Sequence, residues 1–110
     1  NVTFSGNWAL SQGGAMYNGS DGGKHIPQLN DVVFIDNQAP FGGAIYNTVY
    51  IPWSGEVHDG FTKPILNNVS FLNNSATHGG AIYNDVIEDH LLQSTMNNVV
   101  FSHHLFLKTK

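Results

Sequence analysis

The chain of 110 residues contains no cysteine and no arginine, and only 11% of it is charged. Without cysteine, no disulfide framework can hold it together. Four lysines against eight acidic residues give a formal net charge of -4, which leaves nothing to neutralise a phosphate backbone, so nucleic acid is excluded as a partner. Anionic membrane surfaces are disfavoured for the same reason. No apolar run approaches the roughly 20 residues of a membrane-spanning helix, and no membrane insertion by this segment is expected. With 41% hydrophobic residues, the chain is not a disordered polyampholyte either.

What it does contain is a motif written three times: FSGNWALSQGGAMYN at 4–18, FIDNQAPFGGAIYN at 34–47 and FLNNSATHGGAIYN at 71–84. An Asn/Val-rich lead-in precedes each copy, and a fourth lead-in, NNVVF at 97–101, runs into a tail that no longer fits. Self-similarity on this scale points to stacked repeats rather than one closed core. The repeats span 1–18, 30–47 and 67–84, with a degenerate copy at 97–110 and loops at 19–29, 48–66 and 85–96, all within one segment. Because Asn1 lies in mid-motif, the chain is expected to be a piece of a longer solenoid, with any export signal upstream.

Successive motif phenylalanines, Phe4, Phe34, Phe71 and Phe101, are 30, 37 and 30 residues apart. Val and Phe two positions apart (Val2/Phe4, Val32/Phe34, Val69/Phe71, Val99/Phe101) share one face of a strand. A helix needs a longer run free of Gly-Gly and Asn clusters, and only 85–96 offers one. Short strands recurring in this way bury their apolar face by coiling, so that each pairs with its copy in the next coil. The predicted fold is therefore all-β, a parallel β-solenoid of about three to four coils. Equivalent side chains should then stack: the four Phe in one ladder, and Asn7, Asn37 and Asn74 in another, where carboxamides hydrogen-bond from coil to coil. His104 takes the fourth Asn place. Ala9, Ala39 and Ala76 are small enough for a tight corner, and Ile of each Gly-Gly-Ala-Ile-Tyr is expected inward with Tyr outward. The tail residues Leu105, Phe106 and Leu107 either cap the last Phe or mark a truncated repeat.

The pairs Gly13-Gly14, Gly42-Gly43 and Gly79-Gly80 read as structural turns that admit positive φ or close backbone approach. A phosphate-cradling loop would need a helix after the glycines, and a strand-like segment follows.

Phe-x-x-Asn linked to Gly-Gly-Ala-Ile, repeated in the same order, resembles the repeats of the chlamydial polymorphic outer-membrane proteins and of related adhesin-like surface proteins in other microbes. The resemblance covers 1–84 apart from the spacers, and weakly 97–101. It implies a right-handed parallel β-helix. It further implies an extracellular or cell-surface location, in the outer membrane if the chain is the passenger of an autotransporter with a C-terminal barrel.

Loops on a rigid scaffold usually carry binding. The loop at 48–66 is the longest and holds Tyr50, Trp53 and Phe61, which form the candidate binding set, either as an apolar shelf for a sugar ring or partner side chain or as a cover folded back on the sheet. The spacer DVIEDHLLQSTM can form an amphipathic turn with Val86, Ile87 and Leu91 down and Glu88, Asp89 and His90 out. Neither that triplet nor His25, His58, His78 and His103-His104 shows metal-ligand spacing, so no metal and no cofactor are expected.

Catalytic residues are not expected either. A β-helix lyase would want clustered acidic ligands and a basic residue, and this chain has no Arg, with Lys63 alone near an acidic group, Asp59. Glycoside hydrolysis needs two carboxylates across a cleft, whereas Asp31 and Asp36 have no matching Asp in other repeats and read as turn residues. The leading reading is a non-enzymatic surface scaffold of adhesin type whose partners are a host-cell or matrix protein or glycan, besides neighbouring coils of the parent chain. A β-helix polysaccharide lyase or hydrolase and a purely structural spacer are the alternatives.

Overall fold

The computed structural model describes residues 1–21, 23–50, 60–85, 92–102 and 105–106. Among the described residues the only regular structure is strand: β1 (Val2–Ser5), β2 (Met16–Asp21), β3 (Lys24–His25), β4 (Gln28–Ile35), β5 (Ile45–Tyr50), β6 (Phe61–Thr62), β7 (Ile65–Leu72), β8 (Ser75–Ala76), β9 (Ile82–Asp85), β10 (Thr95–Ser102) and β11 (Leu105–Phe106). They form four parallel sheets, ordered β1-β4-β7-β10, β2-β5-β9, β3-β6 and β11-β8. Each strand pairs with its own copy in the neighbouring repeat. Phe4 lies opposite Phe34, Phe34 opposite Phe71 and Phe71 opposite Phe101, while Met16, Ile45 and Ile82 align in the second sheet. The fold is all-β and parallel, consistent with a β-helix-like repeat.

The core follows from this register. Val32, Phe34, Leu66, Val69 and Phe71 meet Ala44, Ile45 and Ala81 from the second sheet, with Phe4, Met16, Leu29, Ile82 and Val99 packed against them. Strict alternation cannot place both Leu66 and Val69 inward, because they are three residues apart. Asn68 supplies the missing phase shift with φ 56°, and Asp31 and Asn98 do the same in the strands on either side, at 58° and 55°. One left-handed residue per strand moves the pattern by one position, as a bulge does. Asp and Asn tolerate this conformation better than other residues with a Cβ. Asp36 and Asn73 are left-handed in the same way at the turn after the strand, where the first repeat has Gly6. Asp31 and Asp36 thus occupy left-handed backbone positions, the first within β4 and the second at the turn after it, with exposed side chains.

The phenylalanines stack nearly parallel, with ring centroids 4.9, 5.0 and 4.9 Å apart. Beside them Asn7 Nδ2 donates to Asn37 Oδ1 at 2.9 Å, and Asn37 Nδ2 to Asn74 Oδ1 at 2.9 Å. The backbone amides of Asn7 and Asn37 donate to the same oxygens, and Asn37 Nδ2 also reaches the carbonyl of Phe4. Three further columns are built alike: Asn18-Asn47-Asn84, Asn30-Asn67-Asn97 and Asp31-Asn68-Asn98. Burial separates them energetically. Asn37→Ala strands buried backbone and carboxamide groups and should cost about 2–3 kcal/mol. Asn67→Ala, whose bonds are exposed, should cost under about 0.5 kcal/mol. Urea denaturation of the two variants checks the contrast, and equal losses would contradict it.

Strand pairing reaches beyond the boundaries read from the motifs. Gly19, Ser20 and Asp21 continue β2, and Lys24-His25 pair with Phe61-Thr62. Thr62 in turn bridges Leu92, so a further column runs through all three segments assigned to projecting loops. Buried Thr62 ties this column inward by donating its hydroxyl to the Thr48 carbonyl at 3.0 Å. The tail also differs from the expectation that it leaves the repeat: Leu105 and Phe106 keep the register, opposite Ser75 and Ala76. His103, His104 and Leu107 lie outside the described residues.

Candidate functional site

Because the inward columns are filled by packing, the chemistry available to a partner lies on the outward ones. In the second sheet Ile45 is in the core while Tyr17, Tyr46 and Tyr83 stack on the outer face at 5.2 and 5.6 Å. Tyr46 is buried as well, between its two neighbours, whereas Tyr17 is exposed. The Tyr46 hydroxyl donates to the Asp85 carboxylate. Burial, then that hydrogen bond and the carboxylate charge, push the phenol well above the usual tyrosine range. At neutral pH it is therefore a neutral hydrogen-bond donor.

Next to this stripe Phe41 and His78 stack at 5.0 Å, and Tyr83 meets both rings edge-on. His78 Nδ1 is buried without a hydrogen-bond partner. No group of three or more potential metal ligands occurs among the described residues.

The glycine pairs occupy the turn into the second sheet. Gly13, Gly42 and Gly79 have φ of 61°, 66° and 64°. The glycine that follows has a different constraint. A Cβ on Gly43 would collide with the Gly80 carbonyl oxygen and lie 2.6 and 2.8 Å from the Ser75 oxygen and nitrogen. The pair therefore lets adjacent repeats approach backbone to backbone.

Of the candidate binding set, Phe61 is half-buried in β6, where the Lys63 ammonium sits 4.5 Å from the centre of its ring. The backbone of Tyr50 ends β5 opposite Asp21, and Trp53 lies outside the described residues, as do His58, Asp59, His90, Val86, Ile87, Glu88, Asp89 and Leu91. The structure thus brings Phe61 and Lys63 together but does not assemble the three aromatics into a described site.

A second outward feature was not singled out in the sequence. Trp8, Gln38 and Ser75 align by parallel bridges, and with Leu10, Pro40 and Thr77 they border a groove of about 270 Å³ floored by the alanines of the corner. Its residues share no chemical type, so repeat alignment alone gave no signal.

Parallel strands in register with interior ladders of Phe and Asn define a stacked-repeat protein. The chain matches the Chlamydia polymorphic membrane protein repeat over residues 1–23, 31–48 and 68–85. These segments make up more than half of it, and it belongs to that family. Membership supports a surface or outer-membrane location in general terms. No curated protein and no solved structure gives a significant match.

Proposed function

We propose that the chain is a right-handed parallel β-helix of three to four coils, acting as a non-enzymatic passenger of an adhesin-like surface protein. One observation carries this reading. Inward positions repeat with the same residue types, and so does the outward tyrosine stripe, whereas two other columns change at the same register: Trp8, Gln38 and Ser75 in one, and Gln12, Phe41 and His78 in the other. An invariant interior fixes the spacing of the surface, and a surface free to vary can be fitted to a partner. Since the sheets are all parallel, the chain must return to the same end before each strand, which supports coiling.

The long inter-repeat segment at 48–66, which holds Tyr50, Trp53 and Phe61, is the favoured contact. Its partner is a host-cell or matrix protein or a glycan. Replacing 51–59 by a Gly/Ser linker leaves β5 and β6 intact. Beads coated with that variant should lose most of their attachment to cultured epithelial cells compared with beads carrying the parent chain. Undiminished attachment would overturn the loop contact, and no attachment by the parent chain itself would favour a purely structural spacer.

A further inference from the structure

The corner groove is lined by an aromatic ring, aliphatic side chains and neutral polar groups. Trp8 is 64% exposed and Leu10 81% exposed, so the groove begins with a large aromatic surface left open to solvent. Gln38 and Ser75 continue the Trp8 column, and with Thr77 they line the groove as neutral polar side chains. Among the described residues, no charged one lines the groove. Its floor is apolar, because the buried Ala39 and Ala76 offer only methyl groups.

Each feature restricts the occupant. A charged ligand would be desolvated here without a counter-charge. An apolar peptide side chain would cover Gln38, Ser75 and Thr77 and leave their polar atoms unpaired. A pyranose ring satisfies both constraints, since it offers an apolar face of C–H groups to an aromatic ring and a rim of hydroxyls to neutral donors and acceptors. The size agrees: about 270 Å³ falls just below the roughly 300–1,000 Å³ of drug-sized pockets, enough for one ring. Successive repeats rise by ~4.8 Å, comparable to one sugar unit of an extended chain, so Gln38 and Ser75 are spaced to meet neighbouring residues of an oligosaccharide.

We propose that this groove binds a neutral glycan, with Trp8 stacking on a pyranose ring and Gln38, Ser75 and Thr77 bonding its hydroxyls. The proposal rests on the surface-scaffold reading but moves a contact from the loop onto the repeat itself. Binding through one shallow groove is weak, and useful attachment would come from multivalent display.

The test is titration of the whole chain with cellotriose and chitotriose, followed through the Trp8 indole N–H resonance by NMR, with a heparin-derived tetrasaccharide as the charged comparison. The expected result is a saturable shift with at least one neutral sugar and weaker binding of heparin. Trp8→Ala, at an exposed position, should weaken binding by roughly tenfold, the equivalent of one stacked aromatic contact. The double variant Gln38→Ala/Thr77→Ala should weaken it further than experimental error while leaving the melting transition in place. Replacement of 51–59 should leave sugar affinity unchanged, which separates this site from the loop contact. No shift with either neutral sugar, tighter binding of heparin, or wild-type affinity in Trp8→Ala would overturn the proposal.

Discussion

Phe71→Ala should destabilise the chain by about 3–5 kcal/mol, a large part of the roughly 5–15 kcal/mol that holds a domain of this size together. The Phe71 ring is fully buried and lies between the rings of Phe34 and Phe101. Its backbone is held in register on both sides, by β4 and by β10. The neighbouring rings therefore cannot close over the gap, and the full cavity cost remains. Phe101→Ala removes the same side chain from the same column, but 48% of that residue is exposed. It loses less transfer free energy and leaves no enclosed cavity, so about 1 kcal/mol is expected. Denaturant unfolding of both variants, compared at equal slope, gives the difference. Equal losses would mean that the Phe column does not carry the core.

Gly43→Ala should be comparably severe for a backbone reason. The added methyl would enter the space held by the carbonyl oxygen of Gly80 and by backbone atoms of Ser75. None of these can rotate away as a side-chain tip would. Relief requires separation of adjacent repeats, which also breaks the bond from the Gly43 amide to the Gly79 carbonyl at 3.0 Å. A loss of about 3 kcal/mol or more is expected, at the upper end of overpacking costs. Gly6→Ala is the informative comparison. That residue has φ 65° but nothing within 4 Å of a Cβ, so only the left-handed penalty of roughly 1–2 kcal/mol applies. Far-UV circular dichroism during thermal melting ranks the two. A Gly43→Ala variant as stable as Gly6→Ala would show that the repeats are not in backbone contact at this turn.

These two positions were legible in the sequence because their physical demands recur unchanged in every repeat. A ring on an inward column and a missing Cβ at a backbone crossing admit one residue type each, so Phe and Gly-Gly repeat. Positions that satisfy a backbone demand in several ways were harder to read. Asp31, Asn68 and Asn98 share one left-handed conformation, yet Asn and Asp inside a strand pattern read as lead-in rather than as the phase shift that turns Leu66 and Val69 to the same side. The column of Lys24-His25, Phe61-Thr62 and Leu92 shares no chemistry at all. It is held by backbone pairing, and spacers of unequal length hid its register. Trp8, Gln38 and Ser75 are outward, where packing imposes nothing, and only their alignment in space reveals a groove.

Each strand pairs with its copy 29, 30 or 37 residues away, and nuclear Overhauser contacts in the isotopically labelled chain measure that pairing directly. Short-range contacts between backbone protons of Val32 and Val69, of Phe34 and Phe71 and of Phe71 and Phe101, in the pattern of parallel strands, are the expected result. Cross-strand contacts of antiparallel type, or strand contacts confined within one repeat, would contradict the stacked arrangement and with it both proposed binding surfaces.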